Sequence, residues 1–191
     1  MSSAEQLNPT YTYADYCQWP DDERWELIDG VAYAMTGPSR LHQDIVFELG
    51  RQIGNHLQGK PCRGYTAPFD VRLPRKNESD DNIETVVQPD LSVICDQSKL
   101  DKLGCKGAPD WVIEVLSPST TLKDMNIKRG LYELHGVQEY WLIHPEERWI
   151  MVYTLDAQGR YGKPGMFGMD EPTPVQRFSE LSIDWAFMME V

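Results

Sequence analysis

The spacing of apolar residues along the chain changes several times, and each change marks an element. Trp25-Glu26-Leu27-Ile28 and Val31-Ala32-Tyr33-Ala34-Met35 are two short runs joined by Asp29-Gly30, a dipeptide favoured in two-residue turns, so the stretch predicts a β-hairpin. A short helix is expected before it, over Thr12 to Gln18, with Tyr13 and Tyr16 on one side. Gly37-Pro38-Ser39 ends the hairpin pattern, and from Ser39 or Arg40 the period becomes helical. Ile45, Leu49, Ile53 and Leu57 recur at four-residue spacing until Gly59-Lys60-Pro61 stops the helix.

The next part reads as strands. Tyr65 to Leu73 is extended, with Phe69, Val71 and Leu73 on one face, and Arg75 to Asn82 is a polar, mobile loop. Val86 to Cys95 is a strand in which Pro89 marks a start, an edge or a bulge. A charged connection, Asp96 to Ala108, leads to Trp111-Val112-Ile113-Glu114-Val115-Leu116, the most apolar short run and so a buried central strand. Ser117-Pro118-Ser119-Thr120-Thr121 is loop and then helix start. Ile127, Leu131 and Leu134 form the inner stripe of that helix, which ends at Gly136. Glu139 to Ile143 is a strand, and Trp149 to Leu155 opens a second hairpin turning at Asp156-Ala157-Gln158-Gly159, with Tyr161 in its return. The tail from Met166 has no clear period. Without a repeat or a linker, residues 1–191 are expected to form one domain with its core at about 11–184. The order of elements defines an α+β or mixed α/β fold: a central sheet flanked by helices, with an N-terminal hairpin.

Composition narrows the class only a little. The chain is 41% hydrophobic and 25% charged, as ordinary globular proteins are. No run approaches the ~18 apolar residues of a membrane helix, and Met1-Ser2-Ser3-Ala4-Glu5 lacks the basic-then-apolar pattern of a signal peptide, so a cytoplasmic location away from membranes is expected. Cys17, Cys62, Cys95 and Cys105 are scattered without a close pair and read as reduced thiols. The net charge of −12 argues against a protein that coats nucleic acid. It is unevenly spread, however. Lys60, Arg63, Arg72, Arg75 and Lys76 form one basic cluster, Lys99, Lys102 and Lys106 a second, and Lys123, Lys128 and Arg129 a third. These fit either a solvated mixed surface or a locally basic cleft in an acidic protein.

Glu114 is the residue that points to chemistry. Period-two alternation puts it on one face with Val112 and Leu116, inside an otherwise apolar strand. A carboxylate buried there needs a cation, a hydrogen-bonding partner or a raised pKa; a buried arginine or a solvent-facing edge would also satisfy it. Asp90 follows Pro89 and points with Gln88 and Ser92, which fits either a strand-start turn or a second carboxylate beside Glu114. Two carboxylates on adjacent strands suit one divalent cation with positions left for water and a phosphate oxygen. Asp124 and Lys128 lie one helical turn apart, as a surface pair or as a cation reaching the same cleft.

Gln88-Pro89-Asp90, the stretch from Ala108 to Thr120, Asp124 with Lys128, Tyr132, and Gly136 to Ile143 together resemble the Uma-type restriction endonucleases. So does Glu26-Leu27-Ile28-Asp29-Gly30, with His42 at the start of the long helix. The likeness runs from about Tyr11 to Asp184 and implies the PD-(D/E)xK nuclease group. It implies a restriction-endonuclease-like fold, phosphodiester hydrolysis with Mg²⁺ or Mn²⁺, a nucleic-acid substrate (DNA first) and a homodimer. On this resemblance Asp90 matches the Asp of the PD element and Glu114 the second acid. Leu116 stands where the pattern has lysine, and Lys128 of the next helix supplies the cation. The Val115 carbonyl joins Asp90 and Glu114 as metal ligand, Glu26 is the upstream acid, and His42 and Asp124 are accessory. Two functions follow from the sequence: a metal-dependent endonuclease, or a non-catalytic nucleic-acid-binding or regulatory module on the same fold.

Overall fold

A computed structural model describes residues 10–20, 22–118 and 120–189; Met1 to Glu5, read from the sequence as lacking a signal-peptide pattern, and Ser119 lie outside them. In chain order come α1 (Tyr13–Tyr16), the hairpin β1 (Trp25–Ile28) and β2 (Val31–Ala34), α2 (Arg40–Leu57), β3 (Arg63–Thr66), β4 (Val71–Arg72), β5 (Val86–Val87) and β6 (Leu91–Ile94). A small hairpin, β7 (Leu100–Asp101) and β8 (Gly104–Lys106), precedes β9 (Trp111–Val115). A π-helical segment (Lys123–Lys128) runs into α3 (Arg129–His135), followed by β10 (Glu139–His144), β11 (Trp149–Thr154), β12 (Gly165–Gly168), β13 (Thr173–Pro174) and β14 (Ser182–Ile183).

Local chemistry explains the main boundaries. Asp29 and Gly30 both have positive φ, as the two-residue turn closing β1 on β2 requires. Ser39 Oγ accepts the His42 N–H and caps α2, whose buried stripe is Ile45, Leu49, Ile53 and Leu57. Gly136 ends α3 at φ 84°, in the left-handed region that glycine tolerates.

The main sheet has the order β12-β11-β10-β9-β6-β3. It is mixed: β9 and β10 are parallel and the other neighbours antiparallel. On one face Trp111, Ile113, Val115, Trp141 and Ile143 pack with the buried stripe of α2. On the other, Val112, Leu116, Tyr140 and Leu142 meet Leu131 and Tyr132, and also Val71, Leu73 and Val87 of a second sheet. Strand β9 is therefore covered on both sides, which is why it reads as a continuous apolar run. Each large side chain buried here stabilises the fold by about 1.5–3 kcal/mol.

The second sheet, β2-β1-β5-β4-β8-β7, is larger than the hairpin expected from sequence, because two stretches read as single strands change sheet midway. Tyr65 to Leu73 divides into β3 and β4 around Pro68, and Val86 to Cys95 divides into β5 and β6 around Pro89. Proline has no N–H to give a ladder, so both breaks fall where the ladder must stop. The two breaks lie side by side: Ala67 N–H donates to the Asp90 carbonyl and Gln88 Nε2 to Asp70 Oδ1. The charged connection after Cys95 contains β7 and β8, and the tail adds β12, β13 and β14.

Three further expectations are corrected. Cys62 and Cys95 form a disulfide; they flank the paired residues Arg63 and Ile94 on neighbouring strands, a proximity that their spacing along the chain conceals. Arg72 is fully buried, not part of a solvated basic surface, because Asp80 and Asp101 each accept from its guanidinium. Ile127 and Leu134 are exposed: the inner face before α3 belongs to Asp124 and Lys128, and within it to Leu131 and Tyr132. For Ile127 the reason is that α-helical spacing does not hold where the backbone is wound as a π-helix; Leu134 lies in α3 itself, whose buried residues are Leu131 and Tyr132.

Candidate active site

The seam between the two sheets brings the acidic residues together. Leu91 pairs with Ile113 and Ser92 with Val112, so one step along the same antiparallel register places Asp90 opposite Glu114. Directly opposed residues present their side chains on one face. Glu26 comes from β1 of the second sheet, and the π-helical segment adds Lys123, Asp124 and Lys128. All six line one cleft of about 780 Å³ together with His42 and Val115.

Lys128 is the hub. Its ammonium lies 2.7 Å from Glu26 Oε1, 2.8 Å from Glu114 Oε1 and 3.6 Å from Asp124 Oδ1. Tyr132 O–H donates to the same Glu114 oxygen at 2.9 Å. Burial works against the charge on Lys128, but Glu114, Glu26 and Asp124 outweigh it and hold the ammonium well above the ordinary lysine range. Glu26 also accepts from Lys123 Nζ at 2.6 Å and from the Gln88 N–H at 3.1 Å. Burial pushes the Glu26 carboxyl up, and Lys128 with Lys123 more than reverses this, leaving it below its ordinary value.

Glu114 goes the other way. Burial, followed by the charges of Asp124, Asp90 and Glu26, raises its carboxyl to about 8 although Lys128 pulls downward. A bound proton belongs on Oε2, because Oε1 already accepts from Lys128 and Tyr132. Asp124 is raised for the same first reason, burial, and its Oδ1 has no hydrogen-bond donor among the described residues. Asp90 Oδ2 accepts the Val115 N–H at 2.8 Å and lies 3.1 Å from His42 Nε2. His42 Nδ1, also buried, has no partner among the described residues.

The structure therefore gathers every site residue read from the sequence: Asp90, Glu114, Val115, Lys128, Glu26, Asp124 and His42. It adds Lys123, which the sequence offers only as one member of a basic cluster, and Arg24 at the cleft, tied through Gln88 to Asp70 and Tyr16. Position alone carries no sign of either role. Lys123 meets Glu26 from the first residue of the π-helical segment.

The donor set suits a hard divalent cation. When ionised, the carboxylates Glu26, Asp90, Glu114 and Asp124 exceed the ammoniums Lys123 and Lys128 by two charges, the charge of one such ion. Among the described residues no three His, Cys, Asp or Glu side chains converge in metal-holding geometry. Asp90, Glu114 and the Val115 carbonyl, which line the same cleft, are the oxygen donors that could take part in holding such an ion.

Two six-stranded mixed sheets meeting at paired carboxylates, with α2 against one face, are a restriction-endonuclease-like α+β fold. Residues 13–186 match the Uma2 family, described as "Putative restriction endonuclease", and the chain belongs to that family. An uncharacterized protein of Synechocystis sp., slr1290, is 30% identical over 154 residues, covering 79% of this chain and 77% of that protein. A crystal structure from Anabaena variabilis, titled "a putative nuclease belonging to DUF820", has the same fold with a TM-score of 0.73. It is 22% identical, and the alignment covers 94% of this chain and 97% of that one. No helix among the described residues is long and apolar enough to cross a membrane.

Proposed function

We propose that the protein is a metal-dependent endonuclease hydrolysing phosphodiester bonds in nucleic acid, with DNA as substrate. One observation carries this reading: Asp90 opposes Glu114 across β6 and β9, and Lys128 closes on Glu114 from the next helical segment. Asp90 and Glu114, with the Val115 carbonyl, would hold Mg²⁺ or Mn²⁺. Such an ion, when bound, supplies Lewis acidity toward water and a phosphate oxygen.

The residues around that position have separable tasks. Lys128 is fixed on Glu26 and Glu114, so its charge stands ready to orient the attacking water or to offset charge developing on the phosphoryl oxygens. Asp124 orients Lys128 from one turn away. Glu26 supports the site by pairing with both neighbouring lysines, Lys123 and Lys128. His42 holds Asp90 through Oδ2. Cleavage occurs by attack of water on phosphorus with departure of one ester oxygen. A homodimer acting in the cytoplasm fits a duplex substrate with two strands; sedimentation as a monomer at micromolar concentration would count against the dimer.

The test uses plasmid, linear and single-stranded DNA incubated with Mg²⁺ or Mn²⁺. Cleavage is expected from the wild-type protein and absent from Asp90→Ala and Glu114→Ala; equal products from all three would refute the reading. A non-catalytic nucleic-acid-binding or regulatory module is the second reading, favoured by the net charge of −12 and by Leu116 in place of the motif lysine. DNA and metal binding without cleavage under any condition would select it.

A further inference from the structure

Lys123 and Lys128 bound the π-helical segment, five residues apart. In an α-helix, at about 100° per residue, residues so spaced lie about 140° apart around the axis and face different surroundings. Winding with hydrogen bonds between residues five apart stacks them instead. The outcome is visible at Glu26: Lys123 Nζ lies 2.6 Å from Oε2, and Lys128 Nζ lies 2.7 Å from Oε1 of the same carboxylate.

The two ammoniums share this acid but not their other surroundings. The Lys128 side chain is 3% exposed and has Glu114 and Asp124 as further partners, so it is held at the floor of the site. The Lys123 side chain is 14% exposed and lines the cleft beside Asp90 and Glu114. It pairs with Glu26 alone among the described carboxylates, and the Tyr33 ring, 5.6 Å away, steadies it from another side. An ammonium has three N–H donors, and Glu26 takes one of Lys123's. A negatively charged strand entering this acidic cleft needs a cation that is accessible and already held in place.

We propose that Lys123 binds a backbone phosphate of the nucleic-acid strand, while Lys128 is held to the internal carboxylates. The π winding divides the two tasks between lysines that share Glu26. This assignment rests on the nuclease reading and adds a substrate contact to it.

The test is fluorescence anisotropy of a labelled 20-mer DNA, duplex and single-stranded, with Ca²⁺ replacing Mg²⁺, from about 50 to about 200 mM salt. Lys123→Gln is expected to weaken binding about tenfold and to lower the slope of log affinity against log salt by about 0.9 for duplex. Lys123→Arg, which keeps the charge, is expected to restore the slope. A Lys123→Gln protein with wild-type affinity and slope would overturn the assignment, as would weaker binding at an unchanged slope. On the unmodified protein, DNA is expected to protect Lys123 from amine acetylation while leaving the exposed Lys163 reactive; equal acetylation of Lys123 with and without DNA would also overturn it. This second measurement stands whether or not the variant folds. A wild-type protein that binds no DNA would refute the nuclease reading together with this one, whereas binding insensitive to Lys123 would refute this one only.

Discussion

Lys128 donates to Oε1 of Glu114 at 2.8 Å, although fourteen residues and a change of element separate them. The PD-(D/E)xK pattern that the sequence resembles has a lysine two residues after this acid, whereas the ammonium beside Glu114 comes from the helical segment that follows β9. Leu116, at the expected position, is buried with Val112 and Leu142 instead. Lys128 is also the shared counter-charge of Glu26 and Asp124, so it holds the floor of the cleft together.

Replacing Lys128 with Met should strand these carboxylates in a buried setting. A loss of about 3–5 kcal/mol in urea unfolding is expected, with partial recovery when Glu114→Gln is added. A loss below about 1 kcal/mol would mean that the ammonium is not the counter-charge of the cluster.

Stability of the metal-free protein should depend on pH through the same site. The Glu114 carboxyl is raised from 4.5 to about 8 by burial and by its acidic neighbours, and Asp124 is raised in the same direction. A raised acid binds its proton more tightly in the folded chain, so its contribution is full below the unfolded value and is lost as pH climbs through the folded one. Glu26, lowered, acts with the opposite sign and only in the acid range below its ordinary value. With a chelator present, the urea midpoint should therefore fall from about pH 5 to about pH 8, and Glu114→Gln should flatten the fall. A midpoint that rises over this interval would contradict the assignment.

Away from the site, Arg72 of β4 ties the segment carrying Asp80 and the end of β7 together. Its guanidinium lies 2.7 Å from Asp80 Oδ2 and 2.6 Å from Asp101 Oδ2 while being fully buried itself. Arg72→Met should cost about 2–3 kcal/mol, less than stripping a wholly buried pair because both aspartates keep contact with water. Arg72→Lys should recover only part, since one ammonium cannot reproduce the two-armed contact. Thermal unfolding of both variants measures this; a Lys variant as stable as wild type would contradict it.

The carboxylate of Glu139 offers a comparable test in the main sheet. It accepts from Trp141 Nε1 and from the Gln176 and Arg177 main-chain N–H groups, anchoring the C-terminal segment to β10. In Glu139→Gln the amide would face one of these donors with another donor, at an expected cost of about 1–3 kcal/mol. Unchanged stability in guanidinium unfolding would remove Glu139 as the anchor.

How much of this was legible in the sequence follows from what sets each feature. The first hairpin, α2 and β9 depend on local signals: Asp29-Gly30, the stripe from Ile45 to Leu57, and an unbroken apolar run. Their positions agree with the structure to within a residue or two. The strand changes at Pro68 and Pro89 depend on which partner each half finds, and no local pattern encodes that. The Cys62–Cys95 bond and the burial of Arg72 are of the same kind, because their partners lie 33 and 29 residues away or come from another loop. Within the site, Asp90 and Glu114 stood out as carboxylates in apolar strands. Lys123 did not, since its contact with Glu26 joins two elements far apart in the sequence through a π-helical segment that α-helical spacing does not reveal.

Calorimetric titration with Mn²⁺ tests the central claim, that Asp90 and Glu114 form one cation site. The wild-type protein is expected to bind a single ion, and Glu114→Gln and Asp90→Asn to bind none in the same range. Absence of binding by the wild type, or binding that both variants retain, would contradict it.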